Sequence, residues 1–159
     1  MLQPPDAATS AEQLVRLYNL SPHPEGGWYR ELHRSALSVQ RGDGERRSAL
    51  TLILFLLAAG ERSCWHRVRQ ADETWQLLAG APLRLWMLQP GAPAVQEHQL
   101  DWRQPALVVP ADCWQAARSS GAWTLVSCCV GPGFDFADFE MLRDLPVDQH
   151  PTLDLLDLL

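Results

Sequence analysis

Apolar runs of roughly four to eight residues, broken by short polar or glycine- and proline-containing clusters, recur along most of this chain. That rhythm belongs to short β-strands joined by tight turns. It predicts strands over residues 28–35, 48–57, 63–67, 74–79, 83–89, 94–100, 106–109, 113–117 and 124–130. The 48–57 run is rich in Leu, Ile, Thr and Phe and long enough for a central strand buried on both faces. Two stretches depart from the strand rhythm. Leu14, Leu17 and Tyr18 recur at helical spacing behind a Ser10/Gln13 capping box, which predicts a short amphipathic helix from Ala11 to Tyr18. Phe136 and Phe139 lie one helical turn apart behind Asp135, which predicts a short capped helix whose aromatic face covers the sheets or a partner subunit. Residues 1–9 read as a loose tail and 154–159 as a docked helical turn. The expected class is all-β, a sandwich, jelly roll or barrel, with a helical segment near each end.

Composition narrows the picture. The 159 residues and 47% apolar content suit one domain, 1–159, with its core at about 14–142 and tails at 1–9 and 146–159. The net charge of −6 argues against nucleic acid or an anionic membrane as partner, since both select for basic patches. The start of the chain has no signal-peptide pattern, and the apolar run at 50–60 is too short to span a bilayer. Cys64, Cys113, Cys128 and Cys129 form no C-x-x-C pair and read as small buried hydrophobes. A soluble cytoplasmic protein is the expectation.

Candidate chemistry concentrates in residues 60–80. His66 precedes Glu73 by seven residues, and Gly80 follows after seven more. A histidine on one strand and a glutamate opening the next can meet inside a small barrel. If Glu73 faces inward, strict alternation turns Trp75, Leu77 and Ala79 inward with it. The loop at 23–31 packs His23, Glu25, Arg30 and Glu31 around two prolines and two glycines. Such a rigid charged loop serves ligand binding or a dimer contact equally well.

Gly60-x5-His66-x-Val68-x4-Glu73-x6-Gly80 resembles the first motif of the cupin superfamily, with Val68 standing where a second metal-binding histidine is usual. The second motif resembles Pro110-x-Asp112-x2-Gln115-x3-Ser119, in which Asp112 replaces a glycine, Gln115 a histidine and Ser119 an asparagine. The 23–31 loop, Trp65-His66-Arg67-Val68, Val109-Pro110-Ala111 with Trp114-Gln115-Ala116, and Pro132-Gly133-Phe134-Asp135-Phe136 with Asp138-Phe139 resemble one group in particular. This is the fifth cupin group, a family of unknown function. The resemblance runs from about Leu14 to Leu142. It implies a double-stranded β-helix barrel that forms homodimers, and it supplies no settled activity.

Cupin enzymes commonly hold a divalent metal through three histidines and a glutamate. Here that set shrinks to His66, Glu73 and, as a weak oxygen ligand, Gln115, so a metal-free polar pocket is the preferred reading. In that pocket His66 is expected as general base, Glu73 as its orienter and Tyr29 as proton donor. Ser63, Trp75, Gln115, Trp114, Arg30 and Glu25 are the expected ligand contacts. The leading function is a metal-independent epimerase- or isomerase-type enzyme on a small, polar, sugar-like metabolite. The alternatives are a small-ligand binding module without catalysis and a weakly metal-dependent cupin enzyme.

Overall fold

Strand alternation sorts the apolar side chains onto the two faces of each sheet. The computed structural model describes residues 8–151 and 156–159. After helix α1 (Ala11–Tyr18), the strands run β1 (Ser21–Pro22), β2 (Trp28–Arg34), β3 (Ser38–Gln40), β4 (Arg46–Ser48), β5 (Thr51–Ala58), β6 (Ser63–Val68) and β7 (Asp72–Gly80). They continue as β8 (Leu83–Leu88), β9 (Gln96–Leu100), β10 (Ala106–Val109), β11 (Trp114–Ser119), β12 (Trp123–Gly131) and β13 (Phe139–Met141). One sheet has the order β1-β2-β5-β12-β7-β10 and the other β13-β6-β11-β8-β9, while β3 and β4 form a separate hairpin. The pairings within these sheets are antiparallel. The fold is all-β with the jelly-roll arrangement of two facing sheets.

The inward faces make one core: Phe55, Trp75, Leu77, Val126 and Cys128 from the first sheet meet Leu83, Leu85, Met87 and Ala117 from the second. On the outer face of the first sheet, α1 seats Leu14 against Leu54, Leu56, Trp123 and Leu125. Burying a leucine this way stabilises by about 2 kcal/mol. The capping box forms as the sequence predicts: the Gln13 N–H donates to Ser10 Oγ at 3.3 Å and the Ser10 N–H donates to Gln13 Oε1 at 2.7 Å. Asn19 ends the helix in the left-handed conformation, at φ 51°. Outside the second sheet, Trp65, Trp86, Trp114 and Leu142 gather around Leu158.

Three expectations change, and one hairpin is added: β3 and β4 flank the charged turn at 41–45 and are too short and polar to show a hydrophobic period. The aromatic helix reduces to one 3-10 turn, Phe136–Asp138, capped by Asp135, and Phe139 opens β13, which pairs with β6. Pairing with a neighbour supplies the backbone partners that an isolated short helix lacks. Ala79 packs outward, against the α1 cluster, because the β7–β12 register shifts between Leu125 and Val126. A bulge of this kind reverses the facing of everything beyond it. Thr9 is tied down, its carbonyl accepting a bond from Trp123 Nε1 at 2.6 Å. Of the segment 154–159, residues 154 and 155 lie outside the described residues. Leu156–Leu158 forms a 3-10 turn that buries Leu158.

Candidate functional site

A cavity of about 460 Å³ opens between the sheets, a size typical of small-molecule sites. Its chemistry comes from three places in the sequence. The loop before β2 brings His23 and Glu25, β6 brings His66, and β7 brings Glu73.

The loop is held against the barrel by its own backbone. The His23 N–H donates to Gly27 O, the Gly26 N–H donates to His23 O, and the Cys64 N–H donates to Glu25 O at 2.8 Å. Gly26 has φ 108°, and a Cβ there would collide with Arg62 O. Only glycine permits that approach. The result fixes Glu25 over β6, 6% exposed. Ser63 Oγ donates to Glu25 Oε1 at 2.8 Å. Oε2 lies 3.2 Å from His23 Nδ1 and 3.3 Å from His66 Nε2. Burial pushes the Glu25 carboxyl up, but His66, His23 and the Ser63 hydroxyl outweigh it and hold the group below its ordinary range.

His66 is 1% exposed, and its Nδ1 lies 2.8 Å from Cys64 O. A carbonyl only accepts, so Nδ1 carries a proton. Nε2, on the other side of the ring, faces the Glu25 carboxylate.

Glu73 crosses from the other sheet. Gln115 is the register partner of His66 on the neighbouring β11, and its Nε2 donates to Glu73 Oε2 at 2.6 Å. Trp75 Nε1 in turn donates to Gln115 Oε1 at 2.9 Å, which fixes the orientation of the amide. Burial raises the Glu73 carboxyl above its ordinary value, and the Glu25 charge adds to this against the pull of His66 and the Gln115 bond. The adjacent Cys128 thiol is pushed well up, first by burial and then by both carboxylates, so it stays protonated.

The sequence reading pairs His66 with Glu73. In the structure, the carboxylate at hydrogen-bonding distance from His66 is Glu25, and Glu73 is held by Gln115. The carboxylate beside His66 therefore comes from a loop residue remote in sequence. Tyr29, Arg30 and Trp75 line the cavity as expected. Ser63 and Gln115 stand behind it, holding Glu25 and Glu73. Trp114 is not brought to the cavity: next to the inward Gln115 on β11, it turns outward into the Trp65–Trp86 cluster, under the Arg67 guanidinium at 4.6 Å. The sequence reading missed His23 as a partner of Glu25, and it missed the wall of Phe55, Phe134, Phe136 and Phe139. The crowding of His23 and Glu25 between turn-forming glycines is the signal that pointed there.

The metal centre common among cupins does not fit these donors. Val68 presents an apolar side chain where the second histidine would stand. Both polar ends of Gln115 are committed. Among the described residues, no group of three or more His, Cys, Asp or Glu side chains is arranged to hold a metal ion.

The family whose profile covers residues 12–142 is described as Cupin superfamily (DUF985). The chain belongs to this cupin family. A hypothetical protein from Leishmania major shares the fold at TM-score 0.77 and 33% identity, over 83% of this chain and 86% of its own. A Shewanella oneidensis protein does so at TM-score 0.74 and 34% identity, over 84% of each chain. A variant of Bacillus subtilis oxalate decarboxylase, at TM-score 0.56 and 12% identity over 77% of this chain and 30% of its own, shares the fold alone. No curated protein matches this cupin significantly. Asp112, in the place of the glycine of the second cupin motif, keeps the left-handed turn at φ 66°. None of the helices among the described residues is long and apolar enough to cross a membrane.

Proposed function

We propose that this cupin is a metal-independent proton-transfer enzyme of the isomerase or epimerase type, acting on a small carbonyl compound held in the cavity. One observation carries the reading: two buried carboxyls face the same cavity and are pushed in opposite directions. Such divergence separates acid from base roles. Glu73, whose carboxylate is made more basic by burial, is suited to take a proton from the carbon beside the carbonyl. His66, set beside the Glu25 carboxylate, faces the negative charge that develops on the carbonyl oxygen. Glu73 then returns the proton to the same carbon or to a neighbouring one, so the reaction needs no oxidant or reductant. These roles reverse those expected from sequence for His66 and Glu73. Tyr29 and Arg30 remain candidate substrate contacts on the wall.

The test is solvent-deuterium exchange at carbons next to the carbonyl across a set of small oxo acids and ketones, followed by proton NMR in D2O. Exchange above the protein-free rate that is lost in Glu73→Gln supports the reading. Binding of a ligand with no exchange in the wild type leaves the binding module instead. Homodimer formation is a separate proposal, supported by the edge strand β10 with Val108 exposed on it. A monomer mass in sedimentation equilibrium would exclude it.

A further inference from the structure

The cavity wall says more about the substrate than the acid–base pair does. Several of its polar groups already have partners inside the protein. Trp75 Nε1 is spent on Gln115 behind the wall. Arg34 donates twice to Glu31 and once to Phe134 O. Thr51 Oγ1 accepts from the Phe134 N–H, and Asp135 Oδ1 accepts from the Ala137 N–H. What the wall offers instead is ring surface from Tyr29, Phe55, Trp75, Phe134, Phe136 and Phe139, with Ile53, Val68 and Val130 between the rings. The rings brace one another and His23: Phe134 and Phe136 centroids are 5.0 Å apart, and those of His23 and Tyr29 are 4.6 Å apart. Phe136, one of the lining residues, is 55% exposed overall.

A sugar brings several hydroxyl groups, each of which needs a partner once it leaves water. This wall sets six rings against the polar side chains of Asn19, Ser21, Tyr29 and Arg30. An aryl or conjugated body needs only ring contact. Resting on the proton-transfer reading above, we infer that the substrate is a flat carbonyl compound with an aryl or conjugated apolar body. The carbonyl end lies toward Glu73 and His66, and the body lies against Phe134, Phe136 and Phe139. This replaces the sugar-like metabolite expected from sequence. The chemistry is a tautomeric shift: the C–H beside the carbonyl gives its proton to Glu73, the electron pair moves into the enolate, and the proton returns to carbon or oxygen.

Three probes separate the parts of this inference. Phenylpyruvate carries the carbonyl, an anionic group and a ring. Pyruvate lacks the ring, and fructose is a polyhydroxylated ketone. Calorimetric titration of the full chain should show phenylpyruvate binding at least about tenfold more tightly than either of the others, from the buried ring area. Phe136→Ala, an exposed position where folding is not at stake, should weaken phenylpyruvate about fivefold and leave pyruvate unchanged. Equal or tighter binding of pyruvate or fructose, or binding of none of the three, overturns the substrate class. Deuterium exchange on the same compounds distinguishes the two readings. Phenylpyruvate bound without catalysed exchange sinks proton transfer and keeps the aryl preference. Exchange faster on fructose than on phenylpyruvate sinks the aryl preference and keeps proton transfer.

Discussion

Glu25 and Asp138 are both buried carboxylates, and they are held by different kinds of partner. Asp138 is gripped by two guanidinium groups: Arg41 Nη1 and Arg47 Nε both reach Oδ2 at 2.7 Å, while Arg41 Nη2 and Arg47 Nη2 reach Oδ1 at 3.2 and 3.1 Å. Arginine does not give up its proton in a protein, so this clamp is permanent. It pins the β3–β4 hairpin to the turn that carries Phe136 and so steadies one side of the cavity. Glu25 instead faces two imidazoles, His23 and His66, at 3.2 and 3.3 Å. The fold thus uses a pair of arginines to fix a wall and a pair of histidines beside the carboxylate that faces the cavity. Glu73, which has no cation at hydrogen-bonding distance among the described residues, completes the contrast as the carboxyl left with its burial penalty.

The largest effect expected from this contrast is at Glu73. Glu73→Gln keeps a carbonyl to accept from Gln115, so the fold should survive. Exchange activity should fall roughly 10²- to 10⁴-fold, the usual loss for a positioned acid–base group. Near-wild-type exchange rates in this variant would return the base to His66. Asp138→Ala should act on stability instead. It leaves Arg41 with Asp43 and Arg47 with Glu45 but removes their shared buried acceptor, and a cost of about 2–3 kcal/mol in urea unfolding is expected. A loss below about 0.5 kcal/mol would mean that the clamp is an ordinary surface pair.

The contrast also marks how far the sequence could be read. Local signals held: the Ser10 box, the strand spacing, the inward facing of Trp75 beside Glu73, and Asp112 in its turn. Each depends on neighbours in the chain. What was not legible depends on register between distant segments. Glu25 reaches His66 because loop 23–27 lies down on β6, and a period of two cannot report that. Ala79 faces outward because of a bulge set by β12. Trp114 reads as a pocket residue only if its place next to the inward-facing Gln115 is overlooked, since adjacent residues on a strand face opposite ways. Phe139 suggested a helix because three residues of β13 are too few to show a period.

Smaller effects follow from pH, and their signs differ. The Glu73 carboxyl is raised above its ordinary 4.5, so the folded state holds its proton more tightly than the unfolded chain. Its contribution to stability is complete below 4.5 and is lost as pH rises through the folded value. Wild type should therefore lose ground to Glu73→Gln as pH rises above 4.5, and stability curves that stay parallel through neutral pH would show that Glu73 is not raised.

Glu25 runs the other way. Its carboxyl is depressed below 4.5, so its contribution is present above that value and is lost as pH falls through the folded value. Ser63→Ala removes one of the groups that depress it, the hydroxyl at 2.8 Å from Oε1. The two imidazoles stay in place, so the carboxylate should remain ionised at neutral pH, and the cost there should be modest, about 1–2 kcal/mol. The acid limb of the stability curve should move to higher pH, because the depression is now weaker. Asp138 cannot produce that movement, since the arginines that hold it are untouched. Urea unfolding across an acid pH series decides the point. A Ser63→Ala curve that lies uniformly below wild type, with its acid limb in place, would mean that the imidazoles alone set the Glu25 charge.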